Sequence, residues 1–147
     1  MQLLKALSTN YKVSSGYISK YTAAKEKWLK DLEKITAPNL MNSLPSDSQV
    51  IGAVNRSVPE NTIVIGAAGS MPGELHKLWK VLDQNTYHME YGYSCMGYEI
   101  SAGIGVNLAT PNRPNVVFSG DGSYLMMNSE LATAAMMGIS MTLIPVS

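Results

Sequence analysis

The residues with the clearest chemical potential are Asp121, Gly122 and Ser123, which directly follow an apolar run at residues 116–119. That run has the composition of a buried strand, and a helical spacing of small and apolar residues comes after it. Glycines beside a carboxylate let the backbone bend and approach a ligand closely. The carboxylate of Asp121 can hold a hard cation, and the amides of Gly122 and Ser123 can face a phosphate. Asp-Gly is also ordinary turn chemistry, so the stretch is equally compatible with a plain turn.

A second stretch repeats this order of strand, small residues and helix. Residues 62–65 form a β-branched run typical of a buried parallel strand, and small residues at 66–70 follow it. Pro72 suits the first turn of a helix, which is predicted to run through Leu75, Leu78 and Trp79. Since ligands of open parallel sheets bind where strands end, both loops are expected at one edge. The two units predict an α/β fold with three layers, a parallel sheet with helices on both faces.

Composition limits the classes of function. The chain has 147 residues, of which 46% are hydrophobic and 15% charged, as in one globular domain. Its 11 basic residues balance its 11 acidic ones, which argues against nucleic acid or an anionic membrane as the partner. Cys95 is the single cysteine, so no disulfide forms within the chain. No signal peptide and no membrane-spanning stretch are recognised, and the simplest expected location is the cytoplasm.

The first 45 residues are interpreted as an amphipathic helix and a linker that lead into a domain at residues 46–147. Residues 1–37 hold seven lysines against three acidic residues, which marks a compositional boundary. The favoured interpretation is a helix packed on a core with a solvated lysine face, and the alternative is a surface for a partner or membrane. Pro38 and Pro45 indicate the linker, after which Ser46 or Asp47 is expected to cap a short helix. The apolar stripe of the first helix consists of Tyr17, Tyr21, Ala24, Trp28, Leu32 and Ile35.

A further helix is predicted within residues 94–115, where two sets of residues recur every four positions. One set is apolar and the other is small, which predicts that the small stripe lies very close to a neighbouring element. Arg113 follows in a turn rich in proline and is expected to be solvated. The apolar set is Met96, Ile100, Ile104 and Leu108, and the small set is Gly97, Ser101, Gly105 and Ala109.

Two histidines and one glutamate between the two strand–loop–helix stretches are expected to have structural roles. His76 and His88 have no histidine or cysteine partner at the spacing of a zinc site, so hydrogen-bonding or surface roles are favoured. Glu90 lies among aromatic residues and is expected to pair with a nearby donor.

These residues resemble the diphosphate-binding domain of thiamine diphosphate enzymes, the group of the acetohydroxyacid synthases and decarboxylases. The resemblance rests on residues 94–98 and on Gly-Asp-Gly-Ser at 120–123. Residues 67–79, 87–99 and 120–130 are similar, more specifically, to the trihydroxycyclohexanedione hydrolases of inositol catabolism. That family cleaves a carbon–carbon bond of a cyclic 1,2-diketone with water. The resemblance implies a thiamine diphosphate-binding fold, with thiamine diphosphate and Mg²⁺ as cofactors.

The resemblance also implies roles for individual residues. Asp121 would bind Mg²⁺, which bridges the cofactor diphosphate, and the amides of Gly122 and Ser123 would contact that diphosphate. Gly69 and Ser70 would line its other side.

Two further residues are implied on the organic part of the cofactor. Met96 would lie under the bent cofactor, between its two rings, and a flexible methionine suits such a place. The backbone carbonyl of Ser94 would hold the aminopyrimidine ring.

The resemblance further implies a truncated domain, so the chain is expected to be a fragment. The asparagine that completes the family's metal site would fall at or just beyond Ser147. Pro145 stands where a central strand should donate a hydrogen bond. The glutamate that activates the cofactor belongs to a separate family domain with no counterpart here. No catalytic residue is therefore expected in this chain.

Three functions remain open on these residues. The first is a piece of the hydrolase, with a cyclic diketone as substrate and a homo-oligomer as the complete enzyme. The second is part of another thiamine diphosphate enzyme, of the acetolactate synthase or decarboxylase type. The third is a non-catalytic remnant that associates through exposed apolar faces.

Overall fold

The computed structural model describes residues 11–38, 40 and 43–146. The chain divides into two compact units, of which the first ends at Ile35 and the second begins at Thr36. The first unit contains helix α1 (Ser15–Ile35). Ser14 begins this helix, because its hydroxyl accepts the Tyr17 N–H at 3.2 Å. Tyr17, Tyr21 and Trp28 are exposed, so the aromatic stripe is not a buried face of this unit. None of the described helices is long and apolar enough to cross a membrane.

The second unit is a parallel sheet with helices between its strands. Its four described strands lie in the order β2-β1-β3-β4, and every neighbouring pair is parallel. The elements are α2 (Asp47–Ser57), β1 (Ile63–Gly66), α3 (Met71–Leu78), β2 (Tyr87–Met89), α4 (Tyr98–Ala109), β3 (Asn115–Gly120), α5 (Asp121–Met127), α6 (Glu130–Met136) and β4 (Thr142–Val146).

The strand order creates a crevice between β1 and β3. From β1 the chain moves to β2 on one side, and from β3 it moves to β4 on the other. The two central strands are adjacent and parallel, with Val64 in register with Val116. Ligands of open α/β sheets bind at such a reversal of strand order, outside the carboxyl ends of the strands. The loops after β1 and β3 are therefore neighbours, as the sequence predicts.

Helix α4 packs on one face of the sheet, around a core of Ile63, Ile65, Ala102 and Val117. A Cβ on Gly103 would lie only 2.8 Å from Val117 Cγ2, so the helix and sheet approach closely at that glycine. The predicted close approach of the small stripe holds at Gly97, where a Cβ would lie 2.6 Å from Met127 Cγ, but it was wrong at Gly105. A Cβ on Gly105 would meet no atom within 4 Å, and that residue is exposed.

The opposite face of the sheet carries α3. Phe118 of β3 makes an edge-to-face contact with Trp79, with ring centroids 6.1 Å apart. Leu75 of α3 lies 3.2 Å from the place where a Gly66 Cβ would stand. Alternate residues of β3 thus bury against different helices, because successive side chains of a strand point to opposite faces. The predicted three-layer arrangement is confirmed.

Local signals explain several element boundaries. Ser46 caps α2 with a capping box, in which Ser46 and Gln49 satisfy each other's backbone N–H groups. Pro145 lies in β4, which is the edge strand of the described sheet, where a missing N–H is tolerated. Strand β2 was not predicted. It is only three residues long and lacks alternating polarity, and it forms by pairing with β1.

Arg113 is partly exposed but hydrogen-bonded to other segments, so the expectation of a merely solvated side chain was wrong. Its Nε donates to the Asn61 carbonyl at 3.0 Å, and its guanidinium also lies 3.4 Å from Asp83 and 3.3 Å from the Gln84 carbonyl. The side chain thus ties together the segments before β1 and β2, at the sheet edge opposite the crevice.

Candidate functional site

A cleft of about 240 Å³ opens at the carboxyl edge of the sheet, between the loops that follow β1 and β3. Six of the seven residues predicted for a cofactor site line it, and Ser94 is not among the described lining residues. Asp47 and Val146 also contribute, which the sequence did not suggest. The described residues that line the cleft are Asp47, Ala68, Gly69, Ser70, Met71, Met96, Gly120, Asp121, Gly122, Ser123 and Val146.

The first wall of the cleft is the loop between β1 and α3. Gly69 has a φ of +87°, a conformation that side chains with a Cβ rarely adopt, and a Cβ there would meet no atom within 4 Å. The neighbouring Ala68 N–H donates to Glu99 Oε1 at 3.2 Å. Gly69 and Ser70 are exposed, although the Ser70 carbonyl already accepts the Glu74 N–H at 3.2 Å. This wall offers main-chain groups to a ligand.

Glu99 supports the first wall of the cleft, and the sequence analysis did not identify it. It is 1% exposed, and its Oε2 has no hydrogen-bond partner among the described residues. A buried carboxylate is costly unless it is hydrogen-bonded, so a structural task is expected for it. Here it holds the amide of Ala68 and thus the first wall. The available signal was a lone acid in the first turn of an otherwise apolar helix.

The second wall is the start of α5, where Asp121 follows β3 directly. Asp121 is exposed, and its Oδ1 accepts the Gly122 N–H at 2.7 Å. Ser123 is 3% exposed, and its hydroxyl accepts the Gly97 N–H at 3.3 Å. The Gly122 amide is thus occupied by the neighbouring carboxylate in this structure, and that bond must open before the amide can serve a phosphate.

Met96 forms the third wall. It is 49% exposed, and its Cε lies 3.0 Å from the place where a Gly122 Cβ would stand. Ser94, two residues earlier, has a φ of +51°. The methionine therefore reaches the glycine beside Asp121, and a side chain larger than hydrogen at residue 122 would displace it.

The three polar residues outside the cleft have the hydrogen bonds that were expected. His76 Nδ1 lies 3.2 Å from the Tyr91 hydroxyl, and His88 Nε2 lies 2.7 Å from the Tyr98 hydroxyl. Glu90 accepts two backbone N–H groups. Burial, followed by the hydrogen bond between its hydroxyl and that of Tyr91, raises the pKa of Tyr87 above its ordinary value.

The donor set of the cleft fits a magnesium–diphosphate group. Mg²⁺ in such sites commonly takes one or two carboxylates from the protein and completes its shell with phosphate oxygens and water. Asp121 and Asp47 are the acidic residues that line the cleft. The described residues contain no group of three histidines, cysteines or acids that would suggest a metal cage made by protein alone.

Comparison with known proteins agrees with this cleft. Residues 67–146 match the family described as thiamine pyrophosphate enzyme, C-terminal TPP binding domain, and the chain belongs to that family. Thiamine pyrophosphate, or thiamine diphosphate, is the cofactor that this domain binds. The resemblance found in the sequence is confirmed at this level.

Several similar curated proteins are named 3D-(3,5/4)-trihydroxycyclohexane-1,2-dione hydrolase. The chain is 38% identical to that of Geobacillus thermodenitrificans in an alignment 152 positions long, which covers 88% of the chain and 24% of the relative. It is 41% identical to that of Clostridium tetani in an alignment 144 positions long, which covers 82% of the chain and 22% of the relative. The chain thus spans about a quarter of the length of these hydrolases.

A solved structure shares the fold at low sequence identity. It is described as a thiamin diphosphate-dependent enzyme isolated from Mycobacterium smegmatis. The TM-score is 0.62 and the identity 18%, over 71% of this chain and 20% of that one. The likeness shows that the chain shares its α/β fold with that solved structure.

Proposed function

We propose that this chain is the diphosphate-binding part of a hydrolase that opens trihydroxycyclohexane-1,2-dione with water, in inositol catabolism. The observation that carries the proposal is the cleft, in which an exposed carboxylate, open glycine backbone and a methionine converge. Membership of the TPP-binding family and the names of the similar hydrolases support it. The substrate is thus a small cyclic diketone.

Asp121 is the proposed Mg²⁺ ligand, and Gly122 and Ser123 are the proposed diphosphate contacts beside it. Mg²⁺ at Asp121 would draw the carboxylate away from the Gly122 N–H, because cation and amide compete for the same oxygen. The freed N–H could then donate to a diphosphate oxygen, as amides in turns commonly do. Gly69 and Ser70 would contact the diphosphate from the opposite wall.

The organic part of the cofactor is assigned to the third wall. Met96 would support it between its two rings, and the Ser94 carbonyl would accept a hydrogen bond from the aminopyrimidine. When bound, thiamine diphosphate supplies an electron sink for the carbonyl carbon whose bond is broken. The residues of this chain bind and orient it, and none of them is assigned a catalytic role.

The remaining assignments concern the protein as a whole. Residues 46–147 are proposed as the N-terminal part of the diphosphate-binding domain, and residues 1–45 as a helix and linker that precede it. The complete enzyme is proposed to be a homo-oligomer of the cytoplasm that binds neither nucleic acid nor membrane. The balanced charge of this chain supports the last point.

Calorimetric titration of the 147-residue chain with thiamine diphosphate, with and without Mg²⁺, tests the cofactor assignment. Asp121→Ala is the test variant. Glu60→Ala is the control, because it also removes an exposed carboxylate but lies before β1, at the opposite sheet edge. Binding should require Mg²⁺, disappear in Asp121→Ala and persist in Glu60→Ala. Equal binding by both variants would reject Asp121 as the metal ligand.

The substrate assignment needs a protein that joins this chain to the other regions of its relatives. Product formation from the cyclic diketone is compared with turnover of a 2-oxo acid, the type of substrate used by synthases and decarboxylases. Turnover of the 2-oxo acid alone would replace the hydrolase proposal with the second function left open by the sequence.

A further inference from the structure

The segment that carries Met96 is wrapped around a single carboxylate. Glu90 Oε1 accepts the Tyr93 N–H at 2.9 Å, and Oε2 accepts the Cys95 N–H at 3.0 Å. These N–H groups, that of Cys95 first, lower the pKa of Glu90. A Cβ on Gly92 would lie 3.1 Å from Oε1, so the backbone fits closely around the side chain. Each oxygen of Glu90 thus has its own main-chain donor.

This segment, residues 91–97, adopts a backbone that requires support. Ser94 has a φ of +51°, which is uncommon for a residue with a side chain, and Gly97 has a φ of +86°. Such conformations persist where the surrounding structure imposes them. The Glu90 N–H donates to the Gly66 carbonyl at 3.2 Å, and the Gly97 N–H donates to Ser123 Oγ at 3.3 Å. The segment is therefore fixed to β1 at one end and to α5 at the other.

We propose that Glu90 is a positioning residue that holds Met96 against Gly122 in the cleft. A methionine is flexible, so a defined place for its methyl group depends on a defined backbone. The carboxylate of Glu90 bridges the Tyr93 and Cys95 amides in the middle of the segment, and the Cys95 carbonyl in turn accepts the Tyr98 N–H at 3.4 Å. The relevance of this position to the cofactor rests on the function proposed above.

Glu90→Gln in the full 147-residue chain is the test variant. Glutamine has the same size, but its amide has one acceptor oxygen, and its NH₂ group would face an N–H donor. Glu74→Gln is the control, because it removes a carboxylate that pairs only with Lys77 across one turn of α3. Glu90 is partly exposed, so Glu90→Gln is expected to remain folded with only a small decrease in the midpoint of thermal unfolding, and Glu74→Gln with none.

The first measurement is NMR without cofactor. The nuclear Overhauser effect between the Met96 methyl group and the Gly122 protons should weaken in Glu90→Gln, together with the hydrogen-exchange protection of the Tyr93 and Cys95 amides. Both should persist in Glu74→Gln. The proposal is overturned if Glu90→Gln matches the unchanged chain, or if both variants lose the signals equally.

The second measurement is cofactor affinity by calorimetry. Glu90→Gln should bind thiamine diphosphate with Mg²⁺ about fivefold more weakly, as expected when binding must also order one side chain. Loss of the methyl contact with unchanged affinity would overturn the role in binding and leave the proposed function intact. If even the unchanged chain does not bind, the cofactor assignment fails, and the NMR comparison still decides whether Glu90 positions Met96.

Discussion

The loops after β1 and β3 follow the same sequence order but present different chemistry. After β1, four residues separate the strand from α3, and Gly69 among them is in the left-handed region. After β3, α5 starts at once with Asp121, and Gly120 has an ordinary φ of −67°. The first loop therefore presents backbone groups to a ligand, and the second loop presents the side chain of Asp121.

The two loops also differ in what supports them. The first rests on the buried carboxylate of Glu99, which accepts the Ala68 N–H. The second loop has an exposed carboxylate of its own, that of Asp121, which accepts the Gly122 N–H. Substitutions in the first loop should therefore act through stability, whereas Asp121 should act through ligand binding with little effect on folding.

The largest effect on stability is expected at Gly97, where the segment that carries Met96 packs against α5. Gly97→Ala should lower the free energy of unfolding by about 2–3 kcal/mol, because a Cβ would combine a left-handed backbone with overpacking. That Cβ would lie 2.6 Å from Met127 Cγ. Urea unfolding measures the change. Gly105→Ala is the matched control and should stabilise the chain by up to about 1 kcal/mol, since it is exposed and within α4. Equal effects of the two would contradict the packing at Gly97.

A smaller loss is expected when the support of the first loop is removed. Glu99→Leu should lower stability by about 1–2 kcal/mol, because the Ala68 N–H loses its acceptor while a buried carboxylate is also removed. Glu99→Gln keeps an acceptor oxygen and should retain the hydrogen-exchange protection of the Ala68 amide. Exchange of that amide is measured relative to amides of β3. Unchanged protection in Glu99→Leu would show that the loop does not depend on Glu99.

The two loop glycines test the comparison directly. Gly69→Ala should lose about 1 kcal/mol of stability through backbone strain alone, since its Cβ would have free space. Gly120→Ala should be neutral or slightly stabilising, because its backbone suits any residue and its Cβ also meets no atom within 4 Å. Thermal unfolding of both variants gives the answer. A loss at Gly120 equal to that at Gly69 would remove the distinction between the loops.

The smallest effect concerns pH and the third wall. Because the pKa of Glu90 is lowered in the folded chain, its stabilising contribution is complete above the ordinary value of 4.5 and is lost as pH falls through the lower, folded value. The amide proton shifts of Tyr93 and Cys95 should titrate together, with a midpoint below 4.5. Glu90→Gln should abolish this titration. A midpoint above 4.5 would mean that the two N–H groups do not stabilise the carboxylate.

The central elements could be predicted because their signals are local. β1 and β3 are apolar runs that end in glycine, and the starts of α2 and α3 are marked by Ser46 and Pro72. The order of strand, small residues and helix, seen twice, was enough to place Gly69 and Asp121 at one edge of a parallel sheet.

The features that were missed depend on partners distant in sequence. Glu99 accepts from an amide 31 residues away, and no spacing rule shows where its carboxylate points. The close-packed face of α4 is set by how Gly103 meets Val117, not by the repeat of small residues. Arg113 was taken as solvated because the acceptors in its neighbouring loops are 29, 30 and 52 residues away.

The pairing of β1 with β3 also has a kinetic consequence. Ile63 lies beside Asn115, so this pairing closes a loop of about fifty residues, whose entropy must be lost before the contacts form. The cleft does not exist until that closure, because its two main walls belong to these two strands. The binding site is therefore expected to form late in folding, and substitutions in its loops should speed unfolding more than they slow folding.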